Sequence, residues 1–286
     1  MTRLKEGRFM PLLSAQLCAI SFQGNASNGL QQDAFFLIDD YYQTPLGITE
    51  IQTCEKDFCV AVADGVAQTN LSQYASLSAV KAVKKFWHNY QLNQNQSTVM
   101  SMQSIYEHVA NAPSKYRGAM TTLALVYRLK DSDEIVVKHV GDSRVYLQRH
   151  DETTKNGWRC ITRDHNLLNQ LVDDNAEAEG RKADVSEYNK QGMATALYTI
   201  TDYLTIDNDE ISNPMPSYDS QILQVKAGDC LVVCSDGVHD LVSCEEWSTI
   251  DEQTDLQDWL KNLRKQIYVS QGRAYDNVTV IVIRFC

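Results

Sequence analysis

Three apolar segments of this chain each run into an aspartate, and that arrangement limits the fold more than any other feature. Leu231-Val232-Val233-Cys234 leads through Ser235 to Asp236-Gly237. Phe58-Cys59-Val60-Ala61-Val62-Ala63 leads to Asp64-Gly65, and Ile135-Val136-Val137-Lys138-His139-Val140 leads through Gly141 to Asp142. Runs of strand formers without polar alternation belong to strands covered on both faces, so the chain needs layers above and below its sheets. A carboxylate at the end of such a strand is unfavourable unless something offsets its charge. In a chain of formal net charge −11, the natural candidate is a hard divalent cation on which several carboxylates converge.

The rest of the pattern supplies the layers. Residues 17–22 and 34–38 read as strands, and a long helix is predicted over 70–90, where Leu71, Ala75, Ala79, Val83 and Trp87 recur every four residues. A second helix is predicted over 98–110, ending before Pro113. Strands follow over 119–129, 134–140, 145–149 and 158–162, then over 221–225 and 229–234. Leu256, Leu260, Leu263 and Ile267 mark a C-terminal helix, and a strand over 278–285 closes the chain. This order predicts an α+β fold: a four-layer α/β/β/α sandwich in which two antiparallel sheets are flanked by helices. Residues 1–286 read as a single domain. The segment 166–198 is polar and poorly periodic, and the run 173–180 is too acidic for a core.

Composition narrows the partners. The acidic balance argues against nucleic acid and against an anionic membrane, and it would repel a phosphorylated ligand unless cations neutralised the site. No apolar run is long enough to span a bilayer, and Pro11, Ser14 and Gln16 interrupt what would otherwise follow the basic N-terminus as a signal peptide. Eight cysteines without a framework pattern indicate a reducing cytosol. Cys230 and Cys234 share a strand face close to His239 and Cys244; zinc is conceivable there, but buried core thiols are the preferred reading. No cysteine is followed six positions later by an arginine, which excludes cysteine-based phosphate chemistry, and no P-loop is present.

Seven ordered blocks give the chain a resemblance. They are Gln32-Asp33-Ala34-Phe35, Ala63-Asp64-Gly65-Val66, Met120-Thr121-Thr122-Leu123, Gly141-Asp142-Ser143-Arg144-Val145-Tyr146-Leu147, Ile161-Thr162-Arg163-Asp164-His165, Cys234-Ser235-Asp236-Gly237 and Asp276-Asn277-Val278-Thr279-Val280. In this order and at this spacing the chain resembles the metal-dependent protein phosphatases of the 2C family, of the bacterial stand-alone type. The resemblance covers nearly the whole sequence, and it implies the same four-layer sandwich with a metal site at one end. By position, the segment 166–198 resembles the flap that members of the family carry beside that site.

The resemblance also implies roles. Asp64 would bridge two Mn²⁺ or Mg²⁺ ions, Asp33 and the Gly65 carbonyl would hold one, and Asp236 and Asp276 the other. Asp142 with Asp236 would hold a third, weaker ion. Asp64 and Asp236 would act in catalysis through a metal-bound water that attacks the phosphorus, with no covalent enzyme intermediate. Gly65 and Gly237 are expected to let the backbone turn sharply beside the ligands. Arg144 is expected to tie elements together, His165 to be a hydrogen-bonded structural residue, and Asp202 and Asp207 to be solvated.

Two positions depart from the family pattern. Asn28 stands where members carry the arginine that grips the substrate phosphate, and Val66 stands where many eukaryotic members have a histidine. The implied function is hydrolysis of phosphoserine and phosphothreonine in proteins by a cytoplasmic monomer, or by a bacterial effector delivered into a host cell. The alternative is a pseudophosphatase that binds phosphoproteins as a scaffold, a reading that Asn28 favours and the acidic ligands oppose.

Overall fold

A computed structural model describes residues 12–24, 29–66, 71–92, 100–129, 131–151, 157–178, 195–207, 215–269 and 276–286. In chain order the elements begin with β1 (Ala15–Phe22), β2 (Ala34–Leu37), β3 (Asp40–Tyr42), β4 (Gln52–Cys54) and β5 (Cys59–Ala63). The helices α1 (Ser72–Leu92) and α2 (Met102–Ala110) follow, then β6 (Met120–Thr121), β7 (Leu123–Arg128), β8 (Glu134–Val140), β9 (Arg144–Gln148) and β10 (Trp158–Cys160). The remainder comprises α3 (Leu167–Ala178), β11 (Leu204–Thr205), β12 (Asp219–Gln224), β13 (Cys230–Cys234), the short α4 (Asp236–His239), α5 (Leu256–Val269) and β14 (Val278–Phe285).

Two antiparallel six-stranded sheets result, ordered β10-β9-β13-β14-β1-β4 and β12-β8-β7-β5-β2-β3. Strands β6 and β11 make a separate two-stranded ribbon. The alternation of side chains along each strand then decides the layers. One face of each sheet meets the other: Leu17, Leu231, Val233, Ile281 and Ile283 pack with Phe35, Val60, Val62, Val126 and Val137. The outer face of the second sheet takes α1 and α2 through Ala75, Ala79, Val83, Trp87, Ile105 and Val109. The outer face of the first takes α5 through Leu256, Leu260, Leu263 and Ile267, against Cys18, Ile20, Val232 and Val280. Each of those four α5 side chains removes enough apolar surface from water to contribute about 1.5–3 kcal/mol. The four-layer expectation therefore holds.

Helix α2 starts at Ser101, whose side chain accepts from the Ser104 amide, a normal N-cap that places the helix start at Met102. The expected strand over 119–129 is in fact two. Thr122 interrupts it, sending β6 to the ribbon and β7 into the second sheet. Segment 166–198 is less irregular than its composition suggests. It opens with α3, which buries Leu168, Asn169 and Ala176, and Thr195–Tyr198 forms a 3-10 turn; residues 179–194 lie outside the described set. Ala176, inside the run read as too acidic for a core, is 1% exposed. Among the described residues no helix is long and apolar enough to cross a membrane.

Candidate active site

The antiparallel pairing brings the aspartates together. Asp64 follows the last residue of β5 and Asp33 precedes the first of β2, and these two strand ends are partners, Ala34 with Ala63. On the facing sheet Asp236 follows β13 and Asp276 precedes β14, where Cys234 pairs with Val280. Asp142 follows β8 at the end where Val140 pairs with Leu123. Direct bonds join the two sheets at this end. Ser235 Oγ donates to Asp33 Oδ2 at 2.8 Å, and the Gln32 amide donates to Asn277 Oδ1 at 2.7 Å.

The residues flanking the aspartates hold them. Thr122 Oγ1 accepts from the Asp64 amide at 3.1 Å, and Thr121 Oγ1 donates to the Asp64 carbonyl at 2.7 Å. Thr122 Oγ1 also meets Ser143 Oγ at 2.7 Å, linking the Asp64 and Asp142 turns. Ser235 Oγ accepts from the Thr279 amide at 3.0 Å. Gln32, Thr121, Thr122, Ser143, Ser235, Asn277 and Thr279 fall within the ordered blocks of the sequence, but sequence reasoning gave none of them a role. The signal was there: small hydroxyl and amide residues beside each aspartate, in strands otherwise apolar.

The reason for the two glycines differs from the expectation. Neither Gly65 nor Gly237 has a left-handed φ, so sharp turning is not what they provide. They allow close approach. A Cβ on Gly237 would lie 2.2 Å from the Asn277 carbonyl oxygen, and one on Gly65 would lie 2.9 Å from that of Gln32.

The electrostatics are those of crowded like charges. Asp33 and Asp64 are 1% and 6% exposed. Burial pushes the Asp33 carboxyl up to about 6, against the pull of the Ser235 and Thr279 hydroxyls. Burial and then the charges of Asp236, Asp33 and Asp276 hold Asp64 well above the carboxylate range. Asp236 is raised in the same way by burial and Asp142, Asp276 is raised by burial, and Asp142 is pushed up to about 6 by burial and Asp164. Asp33 Oδ1, Asp142 Oδ1 and Asp236 Oδ1 are buried with no hydrogen-bond partner. Buried polar atoms are nearly always bonded, so three orphans in one cluster mark a place built for something else.

The other expected residues are placed as follows. Arg144 forms a two-pronged pair with Asp164, at 2.8 and 2.6 Å, and its charge also reaches Asp142. His165 Nδ1 accepts from the Gly141 amide at 3.2 Å. His239 is turned towards the Asp142 carbonyl, 3.1 Å from Nε2, while Cys230 and Cys234 lie in the α5-facing core, so no Cys/His zinc group forms there. Asp207 corrects the sequence expectation: its side chain is only 11% exposed and pairs with Arg117 at 3.2 Å. Asp202 is also engaged, its Oδ1 accepting from the Ser217 amide at 2.8 Å. The Val66 amide donates to the Met120 carbonyl at 3.0 Å. Asn28 lies outside the described residues.

Comparison with known proteins adds an independent line. The profile of the protein phosphatase 2C family matches residues 37–271. A serine/threonine phosphatase stp of Listeria welshimeri is 22% identical over 240 residues, spanning 78% of this chain and 83% of that protein. The serine/threonine protein phosphatase PstP of Mycobacterium tuberculosis is 29% identical over 166 residues, 58% of this chain and 27% of that longer protein. Among solved structures, the serine/threonine phosphatase Stp1 of Staphylococcus aureus superposes with a TM-score of 0.63 at 21% identity, covering 98% of both chains. The catalytic domain of PstP, solved in complex with two manganese ions, superposes with a TM-score of 0.58 at 20% identity, covering 96% of this chain and 99% of that one.

Proposed function

The chain belongs to the protein phosphatase 2C family, and from that premise we propose that it hydrolyses phosphoserine and phosphothreonine in proteins, using Mn²⁺ or Mg²⁺ held by Asp33, Asp64, Gly65, Asp236 and Asp276. The observation that carries this reading is the set of buried, unpartnered carboxylate oxygens within a cluster of mutually repelling aspartates. An all-oxygen donor set at the ends of packed strands fits a hard cation, and the likeness to a phosphatase solved with two manganese ions supports a pair of them. When bound, such ions polarise the phosphoryl oxygens and activate a water for in-line displacement.

The chain's own residues supply positioning. Thr121 and Thr122 fix the Asp64 backbone. Ser235 occupies one oxygen of Asp33 and leaves the other open. Asp142, linked to the same scaffold through Ser143, is available with Asp236 for a third and weaker ion. Asn28 replaces the family's phosphate-gripping arginine, so small phosphate esters bind weakly and protein substrates compensate through the flap.

The test is hydrolysis of p-nitrophenyl phosphate and of phosphothreonine peptides with added Mn²⁺ and with EDTA. Activity is expected only with the metal; equal rates in metal-free buffer overturn the reading. Asn28→Arg is expected to lower KM for p-nitrophenyl phosphate about tenfold while changing kcat less, because an amide cannot replace a charge-assisted two-pronged contact. An unaltered KM would assign the grip to another cation, with Arg3 or Arg8 next in line.

A further inference from the structure

A second group of donors lies near the Asp142 turn and belongs to neither the carboxylate cluster nor the core. His139, on β8, is 0% exposed, and both of its ring nitrogens lack a hydrogen-bond partner. Its cross-strand partner is Asp219, the first residue of β12. His165 stands beside them, its ring centroid 4.7 Å from that of His139. Asp219 Oδ2 is 3.4 Å from His165 Nε2 and 3.9 Å from His139 Nδ1, and one ligand atom from each residue falls within 4.8 Å of the others. A tetrahedral zinc ion with bonds of about 2.0–2.1 Å spaces its ligands by about 3.3 Å, so the three atoms need only a small contraction to meet one ion.

We propose that His139, His165 and Asp219 bind one zinc-class cation, separate from the carboxylate cluster, and that its binding disturbs the Gly141-Asp142 turn. Two nitrogens and one carboxylate suit a borderline cation, whereas the aspartate cluster offers only oxygen and suits a hard one. The buried His139 ring is held neutral, as a ligand must be. The side chain of Asp219 is 61% exposed, which provides an entry path from solvent. The link to the turn follows from the tautomer. His165 Nδ1 accepts the Gly141 amide proton, so the ring's own proton sits on Nε2, facing Asp219. An ion on Nε2 requires that proton to move to Nδ1, which can then no longer accept from Gly141. Binding of the ion and the Gly141 bond are therefore mutually exclusive, one residue away from Asp142.

Co²⁺ reports on the site directly, because a tetrahedral nitrogen-containing site absorbs far more strongly in the visible than an octahedral oxygen site. The wild-type chain is expected to show this intense band, and Asp64→Ala to retain it. Asp219→Ala, on an edge strand where folding is not at stake, is expected to weaken Co²⁺ binding at the band at least tenfold, and His139→Ala to abolish it. Absence of the band in the wild type, or its persistence in Asp219→Ala, overturns the site. The regulatory half rests on the phosphatase reading. At fixed saturating Mn²⁺, Zn²⁺ is expected to slow p-nitrophenyl phosphate hydrolysis in the wild type, with inhibition relieved at least tenfold in Asp219→Ala. Equal inhibition of both proteins overturns the coupling. An inactive enzyme that still shows the band would leave the site standing and count only against the phosphatase reading.

Discussion

Asp33 is buried and Asp164 nearly so, its side chain 11% exposed, and the two differ in what faces them. Asp164 meets the Arg144 guanidinium through two bonds, and although burial works against its charge, that pair holds its carboxyl below the ordinary value. Among the described residues Asp33 has no cationic side chain against it, and burial raises its carboxyl to about 6 despite the Ser235 hydroxyl, with Asp276 adding to the rise. Asp229, fully buried, resembles Asp164 in its bonding alone: it accepts from Arg149 and from the amides of His150 and Lys226. One kind of aspartate is completed by the fold, and the other is left incomplete by it. Only the second kind has capacity left over for a ligand.

Substitutions at the two kinds should therefore separate activity from stability. The largest effect is expected for Asp64→Ala, which should cut turnover by roughly a thousandfold, about 4 kcal/mol of transition-state stabilisation, while leaving the melting temperature of the metal-free protein unchanged or higher. Kinetics and a thermal melt in EDTA on the same preparation check it. A large loss of stability would put Asp64 with Asp164 and collapse the contrast. Next comes Arg144→Ala, expected to destabilise the fold by about 3 kcal/mol because Asp164 is left buried and unpaired. Denaturant unfolding measures this, and a neutral result would mean the pair is no support.

A smaller effect, with a sign that depends on pH, is expected from Asp33→Asn. The folded-state value of Asp33 lies above the ordinary carboxylate value of 3.8, so its contribution is present at pH below 4 and lost as pH rises through about 6. At pH 8 without metal the charged group destabilises the fold, and the amide should add roughly 2–3 kcal/mol of stability. At pH 4 the two proteins should melt together. His139 runs the other way. Its folded-state value is depressed to about 4 by burial and by His165, so its contribution is present above pH 6.5 and lost as pH falls through about 4. A melting curve for Asp33→Asn that parallels the wild type at all pH values would show that the cluster is relieved by some means other than protonation.

How much of this was legible in the sequence depends on the range over which each interaction acts. Strands β8 and β14 were predicted to the residue, and the buried stripe of α5 was read correctly, because an unbroken apolar run or a regular repeat is a local signal. Strands β3 and β4 went unread: they are three residues each, polar and partly exposed, and exist only as edges on β2 and β1. Helix α3 went unread because only three of its residues are buried, which leaves too thin a stripe to stand out from its acidic surroundings. The convergence of Asp64, Asp142 and Asp236 could be anticipated, since each follows an apolar strand; Asp33 and Asp276 were expected only through the family resemblance. The bonds that hold them could not be anticipated. Gln32 and Asn277 meet across 245 positions, and His139 faces Asp219 only through the β8–β12 register.

The place of β14 in its sheet bears on how the protein is made. It lies between β13 and β1, so β1 finds its long partner only when residues 278–285 arrive, about 250 residues after it is made. Until then β1 and β13 present two apolar strand edges on either side of a slot one strand wide, the form of nascent chain most exposed to wrong pairing. A message cut short before Val278 would therefore leave the first sheet divided, and if it ended before Asp276 it would also lack a carboxylate of the cluster. The stretch 276–285 both closes the sheet and supplies a carboxylate of the site, so a chain that lacks it loses fold and competence together.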